Sequence, residues 1–197
     1  MPQSKLERDP YLFKDVDVLA NIPGIRDEKD LTLFEDAIAD TAILEIEHFI
    51  HHQKINFKLW RNIHKVLFKE VYLWAGDLRT VGLSKGESAF AQPAYIEANA
   101  NRLFRELAEE NELRGLEKDV FIKRLAHYYN ELNALHPFRE GNGRSLKLLL
   151  TEVALRSGYE INWGGVSRKE NEEASIAGFY GDNSPFEQLF EKIVKNT

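Results

Sequence analysis

Twelve residues, His136-Pro137-Phe138-Arg139-Glu140-Gly141-Asn142-Gly143-Arg144-Ser145-Leu146-Lys147, interrupt a succession of helical patterns. Upstream, Val120, Phe121, Leu125, Tyr128, Leu132 and Leu135 recur at helical spacing over residues 119–135. Pro137 disfavours helix at the residue before it, so His136 is expected just past a helix end. Downstream, Leu146, Leu149, Leu150, Val153 and Ala154 mark a second helix over 144–157, closed by Gly158. Gly141-Asn142-Gly143 then reads as a tight turn that opens this helix.

The first N–H groups of a helix have no partner inside it and point outward with the positive end of the dipole. A glycine-bearing turn at that end is an anion cradle, because main chain without Cβ approaches a phosphate closely. Arg144 adds a planar cation suited to phosphate oxygens. Glu140 beside it is repelled by a phosphate unless a divalent cation lies between, and Mg²⁺ is the expected bridge. His136, with an ordinary pKa near 6.5, can accept a hydroxyl proton at neutral pH. For any one of these residues the plain alternative is a helix connection with solvated side chains. The order of all of them narrows the choice to phosphate chemistry.

His-Pro-Phe-Arg-Glu-Gly-Asn-Gly-Arg resembles the signature of the Fic (filamentation induced by cAMP) family, His-x-Phe-x-Asp/Glu-Gly-Asn-Gly-Arg-x-x-Arg. The resemblance implies a protein adenylyltransferase that moves AMP from MgATP to a Ser, Thr or Tyr hydroxyl of a target protein. It gives His136 the role of general base and makes Phe138 the anchor of the loop. Glu140 becomes the Mg²⁺ ligand, Gly141, Asn142 and Gly143 the α-phosphate site, and Arg144 the site of the outer phosphates. One position departs: Lys147 stands where the family has a second Arg for the γ-phosphate and for an inhibitory Glu. Lysine keeps the charge and loses the bidentate fork.

Composition allows one globular domain over residues 1–197, with 43% hydrophobic and 29% charged residues. The net charge of −6 argues against direct binding of nucleic acid or an anionic membrane. There is no Cys, so disulfide frameworks and thiolate metal sites are excluded. No signal peptide and no apolar run of about 18 residues is evident, which reads as a soluble cytoplasmic protein.

Around the motif the chain reads as all-α. A polar arm over 1–30 precedes helices expected over 30–51, 57–69 (capped by Asn56), 94–111, 169–178 and 186–194, with an extended piece over 159–163. His48 and His52 fall four apart, but a solvated helix end is favoured over a metal site, and His64 reads as structural. Residues 80–92 alternate around a Gly-bearing tip and read as a β-hairpin. By resemblance this hairpin is the flap that aligns a target segment by strand addition, with Leu83, Ser84, Lys85 and Phe90 as its contact residues.

The segments Asp9-Pro10-Tyr11-Leu12-Phe13 and Gly24-Ile25-Arg26-Asp27 resemble the lead-in of short bacterial Fic toxins. That resemblance implies a toxin restrained by a small antitoxin chain carrying the inhibitory helix. Within this chain, Thr41-x-x-x-Glu45 has the spacing of the inhibitory pattern, but Ile46 stands where Gly or Asn is usual. Type II topoisomerase subunits are targets of some toxins of this kind. Two other readings remain open: a partner-binding module that has lost turnover through Lys147, and a Fic enzyme that transfers another group.

Overall fold

In a computed structural model, residues 8–85 and 88–197 are described, without the side chains of Lys85 and Ser88. The all-α expectation holds. Among the described residues the α-helices are α1 (Glu28–Ile50), α2 (Phe57–Phe68), α3 (Pro93–Glu109), α4 (Lys118–Leu135), α5 (Asn142–Arg156), α6 (Arg168–Phe179) and α7 (Ser184–Ile193). The remainder is two small antiparallel ladders. Strands β1 (Ser84–Lys85) and β2 (Ser88–Ala89) pair in the hairpin; β3 (Tyr159–Ile161) pairs with the C-terminal β4 (Val194–Asn196).

Local chemistry explains the helix starts. Asp27 Oδ1 accepts the N–H groups of Lys29 and Asp30 at 2.9 and 3.1 Å, which starts α1 two residues ahead of its apolar pattern. Asn56 caps α2 through the Leu59 N–H at 2.8 Å, as its position predicts. Ser167 and Glu170 form a reciprocal capping box on α6.

Helix α4 runs through the protein and packs against α3, α5, α6 and α7, while α2 lies between α1 and α5. The face of α4 that carries Phe121, Leu125, Tyr128, Tyr129, Leu132 and Leu135 is buried. Trp60, Phe104 and Phe138 meet edge-on beneath the motif loop, with ring centroids 5.6 to 6.3 Å apart where Trp60 meets its two neighbours. Phe138 is completely buried, and covering a ring of that size contributes about 2–3 kcal/mol. The motif loop is thereby pinned to the core at its third residue.

Two expectations shift in detail. The hairpin expected over 80–92 is regular only over its two short strands, extended by the bond from the Phe90 N–H to the Leu83 carbonyl at 3.0 Å. The tip at Gly86 and Glu87 lies outside the described residues. The last helix ends at Ile193, because the next three residues pair with β3. Among the described residues no helix is long and apolar enough to cross a membrane.

Candidate active site

His136 is the C-cap of α4 and adopts a left-handed conformation, φ 45° and ψ 61°. Its Nδ1 lies 3.2 Å from the Asn133 carbonyl, which can only accept, so Nδ1 is the donor in this contact. The imidazole stacks on Phe90 with centroids 3.8 Å apart and planes 13° from parallel. A hairpin residue therefore covers one face of the expected base.

Gly141 is the N-cap of α5, with φ 77°. A Cβ there would sit 2.3 Å from Cε2 of the buried Phe68 ring, so only glycine fits both the conformation and the space. Gly143 is different: nothing lies within 4 Å of where its Cβ would be. The first intrahelical bond of α5 runs from the Ser145 N–H to the Gly141 carbonyl at 3.1 Å. Asn142, Gly143 and Arg144 precede it, and their N–H groups form the helix end expected to cradle phosphate.

Asn142 has a structural task that the sequence does not show. Its Oδ1 accepts the Phe138 N–H and its Nδ2 donates to the Phe138 carbonyl, both at 2.8 Å. The side chain closes the loop on itself. Glu140 accepts the Gly141 N–H at 2.9 Å and lies 3.7 Å from Arg144, with about half its side chain exposed.

Arg144 lies 4.7 Å above the Phe68 ring, and its guanidinium pairs with Glu35 and, at 3.3 Å, with Asp36, both on α1. Glu35 is 5% exposed and also accepts the Tyr72 hydroxyl. Burial, followed by that bond to Glu35, pushes the Tyr72 phenol far above its ordinary pKa, so it stays a donor. Lys147 places its ammonium 5.2 Å over the Trp163 ring, and burial lowers its pKa.

His64 is a supporting residue, as the sequence suggests, and its task is now specific. It is fully buried and stacked on Phe138 at 3.8 Å. Nδ1 accepts the Gly76 N–H and Nε2 donates to the Glu140 carbonyl, both at 2.9 Å. Burial holds its pKa down at about 3, so the ring is neutral and its tautomer fixed.

A cavity of about 220 Å³ opens beside His136 and Gly143, bounded by Phe90, Tyr129, Asn133, Asn171 and Ile176. It joins the base, the hairpin and the amino end of α5. Of the other sequence candidates, Leu83 accepts the Phe90 N–H, Ser84 pairs with Ala89, and the Lys85 side chain lies outside the described residues. Glu45 pairs with Lys69 at the end of α2 at 2.6 Å, and Thr41 Oγ1 donates to the Ile38 carbonyl within α1. Among the described residues no cluster of three potential metal ligands exists, at His48 and His52 or elsewhere. Glu35 and Tyr72 were not legible as site residues: each acts through a partner distant in sequence.

The Fic/DOC family model matches residues 54–154. The chain is 35% identical to the probable protein adenylyltransferase Fic of Escherichia coli K12, over 95% of this chain and 92% of that one. It is 39% identical to the protein adenylyltransferase VbhT of Bartonella schoenbuchensis over 93% of this chain but only 38% of VbhT. Among solved structures, the type IV secretion effector BepA is 28% identical with a TM-score of 0.85, over 94% of this chain and 68% of that one. Bartonella tribocorum BepC, solved with bound AMPPNP, shares the fold with a TM-score of 0.85 at 24% identity, over 95% of this chain and 97% of that one. Motif, fold and relatives agree, and the chain belongs to the Fic/DOC family, among its protein adenylyltransferases.

Proposed function

We propose that this chain transfers AMP from MgATP to a Ser, Thr or Tyr hydroxyl of a target protein and releases pyrophosphate. The observation that carries the reading is the meeting of His136 and the amino end of α5 at one cavity. The phosphates lie against the N–H groups of Asn142, Gly143 and Arg144, and the nucleoside enters the cavity beside Tyr129 and Asn171. His136 Nε2 takes the hydroxyl proton as the oxygen bonds to the α-phosphorus. The bond from that phosphorus to the bridging oxygen breaks, and pyrophosphate leaves with the electron pair.

Glu140 fits the metal role. Mg²⁺ commonly binds one or two carboxylates and completes its shell with water and substrate phosphates, so one half-exposed carboxylate beside the cradle suffices. Glu140 would hold Mg²⁺ there, and the ion would neutralise phosphate charge. The hairpin offers main chain at Leu83 to Lys85 for a target strand, and Phe90 fixes where that strand lies relative to His136.

The reading extends to regulation and context. A toxin held by a separate small antitoxin rests on the resemblance of residues 9–13 and 24–27 to the lead-in of short toxins. A cytoplasmic location and a type II topoisomerase subunit as target belong to the same proposal, resting on the resemblance to short toxins. A second reading, a binding module with impaired turnover, draws on Lys147, whose ammonium lies over Trp163.

Incubation with Mg²⁺, α-phosphate-labelled ATP and bacterial lysate tests the proposal beside His136→Ala. Labelled protein that disappears in the variant and on EDTA treatment supports transfer, and mass spectrometry of the band names the target. Label equal in both chains overturns the role of His136. A silent parent that labels protein as Lys147→Arg supports the impaired module instead.

A further inference from the structure

Arg79 is 2% exposed, and its guanidinium donates hydrogen bonds to four main-chain carbonyls. Burial works against the charged form, so four well-placed acceptors are needed to hold it. They come from two places. Nη1 donates to the Val81 carbonyl at 2.6 Å and Nη2 to that of Ala91, the two feet of the hairpin. Nε donates to the His136 carbonyl at 2.6 Å and Nη2 also to Leu135 at 3.2 Å, the end of α4. The backbone N–H of Arg79 adds a bond to the Pro137 carbonyl at 2.9 Å.

Between these clamps the two elements also touch directly. The Ala91 N–H donates to the Ala134 carbonyl at 3.1 Å, and Phe90 stacks on the His136 ring. His136 occupies a left-handed conformation that a non-glycine residue adopts at a cost of about 1–2 kcal/mol. A conformation of that kind persists only where its surroundings enforce it. Here the fork of Arg79 holds the carbonyls of Leu135 and His136 itself.

We propose that Arg79 is a positioning residue that ties the hairpin and the His136 turn into one rigid unit, setting the distance between an incoming hydroxyl and its base. The inference rests on the transfer reading above for the roles of hairpin and His136, while the coupling itself rests on geometry. Only a planar five-donor group reaches all four carbonyls; an ammonium has three donors at one point.

The test is Arg79→Lys, which keeps the charge, beside Arg79→Met and the parent. Thermal unfolding identifies the folded fraction, and all rates are taken per folded molecule. In Arg79→Lys, amide exchange at Phe90 and Ala91 should rise together with a shift of the His136 imidazole NMR signals. AMPPNP affinity should stay within about threefold while AMP transfer to protein falls about 100-fold, the penalty expected for an ångström-scale misplacement. Movement of only one of the two local signals, or of neither, overturns the coupling even if the variant is less stable. So does an active parent matched by an equally active Arg79→Lys. A parent that transfers no AMP, while both local signals still move in the variant, supports the coupling and sinks the transfer reading instead.

Discussion

Arg144 at the start of α5 is bound by Glu35 of α1, a buried carboxylate 109 positions earlier in the chain that also accepts the Tyr72 hydroxyl. Arg144 Nη1 turns toward Asp36, and the guanidinium plane rests on Phe68. Glu35 engages Nη2 of a five-donor group, leaving donors for the phosphate contacts proposed above.

Glu35→Gln tests whether this carboxylate aims Arg144 or competes with nucleotide for it. Without the charge, the guanidinium can fold toward Asp36 and Glu140, which lie 3.3 and 3.7 Å away. We expect AMPPNP to bind roughly tenfold more weakly, about 1.4 kcal/mol, with a lowered unfolding temperature. Calorimetric titration decides the matter. Tighter binding in the variant would identify Glu35 as a competitor of phosphate.

The two glycines of the motif should separate stability from chemistry. Gly141→Ala drives a methyl into Phe68 at a left-handed position, so a loss of about 2–4 kcal/mol is expected. Gly143→Ala meets open space in the first turn of α5, where alanine is the better helix former by up to about 1 kcal/mol. Its added methyl lies at the proposed phosphate cradle, so it should fold at least as well as the parent and transfer AMP poorly. Denaturant melts with labelled-ATP assays check both, and an active Gly143→Ala would move the phosphate site elsewhere.

Asn142→Asp probes the clamp on Phe138. Aspartate can still accept the Phe138 N–H but presents oxygen, not N–H, to the Phe138 carbonyl, leaving a buried acceptor unsatisfied. The loss should be about 1–3 kcal/mol, with nucleotide affinity falling as negative charge is added next to the proposed phosphate cradle. Chemical denaturation and AMPPNP titration read the two effects separately. An unchanged melt would show that the clamp does not carry the loop.

How much of this was legible in the sequence follows from where the information lies. The motif could be read because His136 to Arg144 are contiguous, and α2 and α5 because one-sided apolar spacing is a local property. Glu35 could not, since a carboxylate on α1 looks solvated until the helix is docked and Arg144 arrives. Arg79 was equally hidden, because its acceptors are carbonyls and main chain has no sequence signature. Of the β3–β4 ladder, β3 was legible as part of the extended piece over 159–163, while β4 escaped because three residues are too short for alternation to stand out.

The neutral, buried His64 gives the fold an acid limit. Its pKa is pushed from 6.5 in the unfolded chain to about 3 when folded, chiefly by burial. Between those values the unfolded state binds the extra proton, so stability rises with pH. The contribution of this residue is complete above about pH 6.5 and is lost progressively as pH falls toward 3, by as much as about 1.4 kcal/mol per pH unit and on the order of 5 kcal/mol in all. His64 holds the Glu140 carbonyl, so the motif loop should loosen in the same range. His64→Gln removes this titration and should flatten the dependence of unfolding free energy on pH between 4 and 6, at the cost of lower stability at neutral pH. Denaturant unfolding of both chains across that range is the check. Parallel pH profiles for parent and variant would show that His64 is not the residue that titrates.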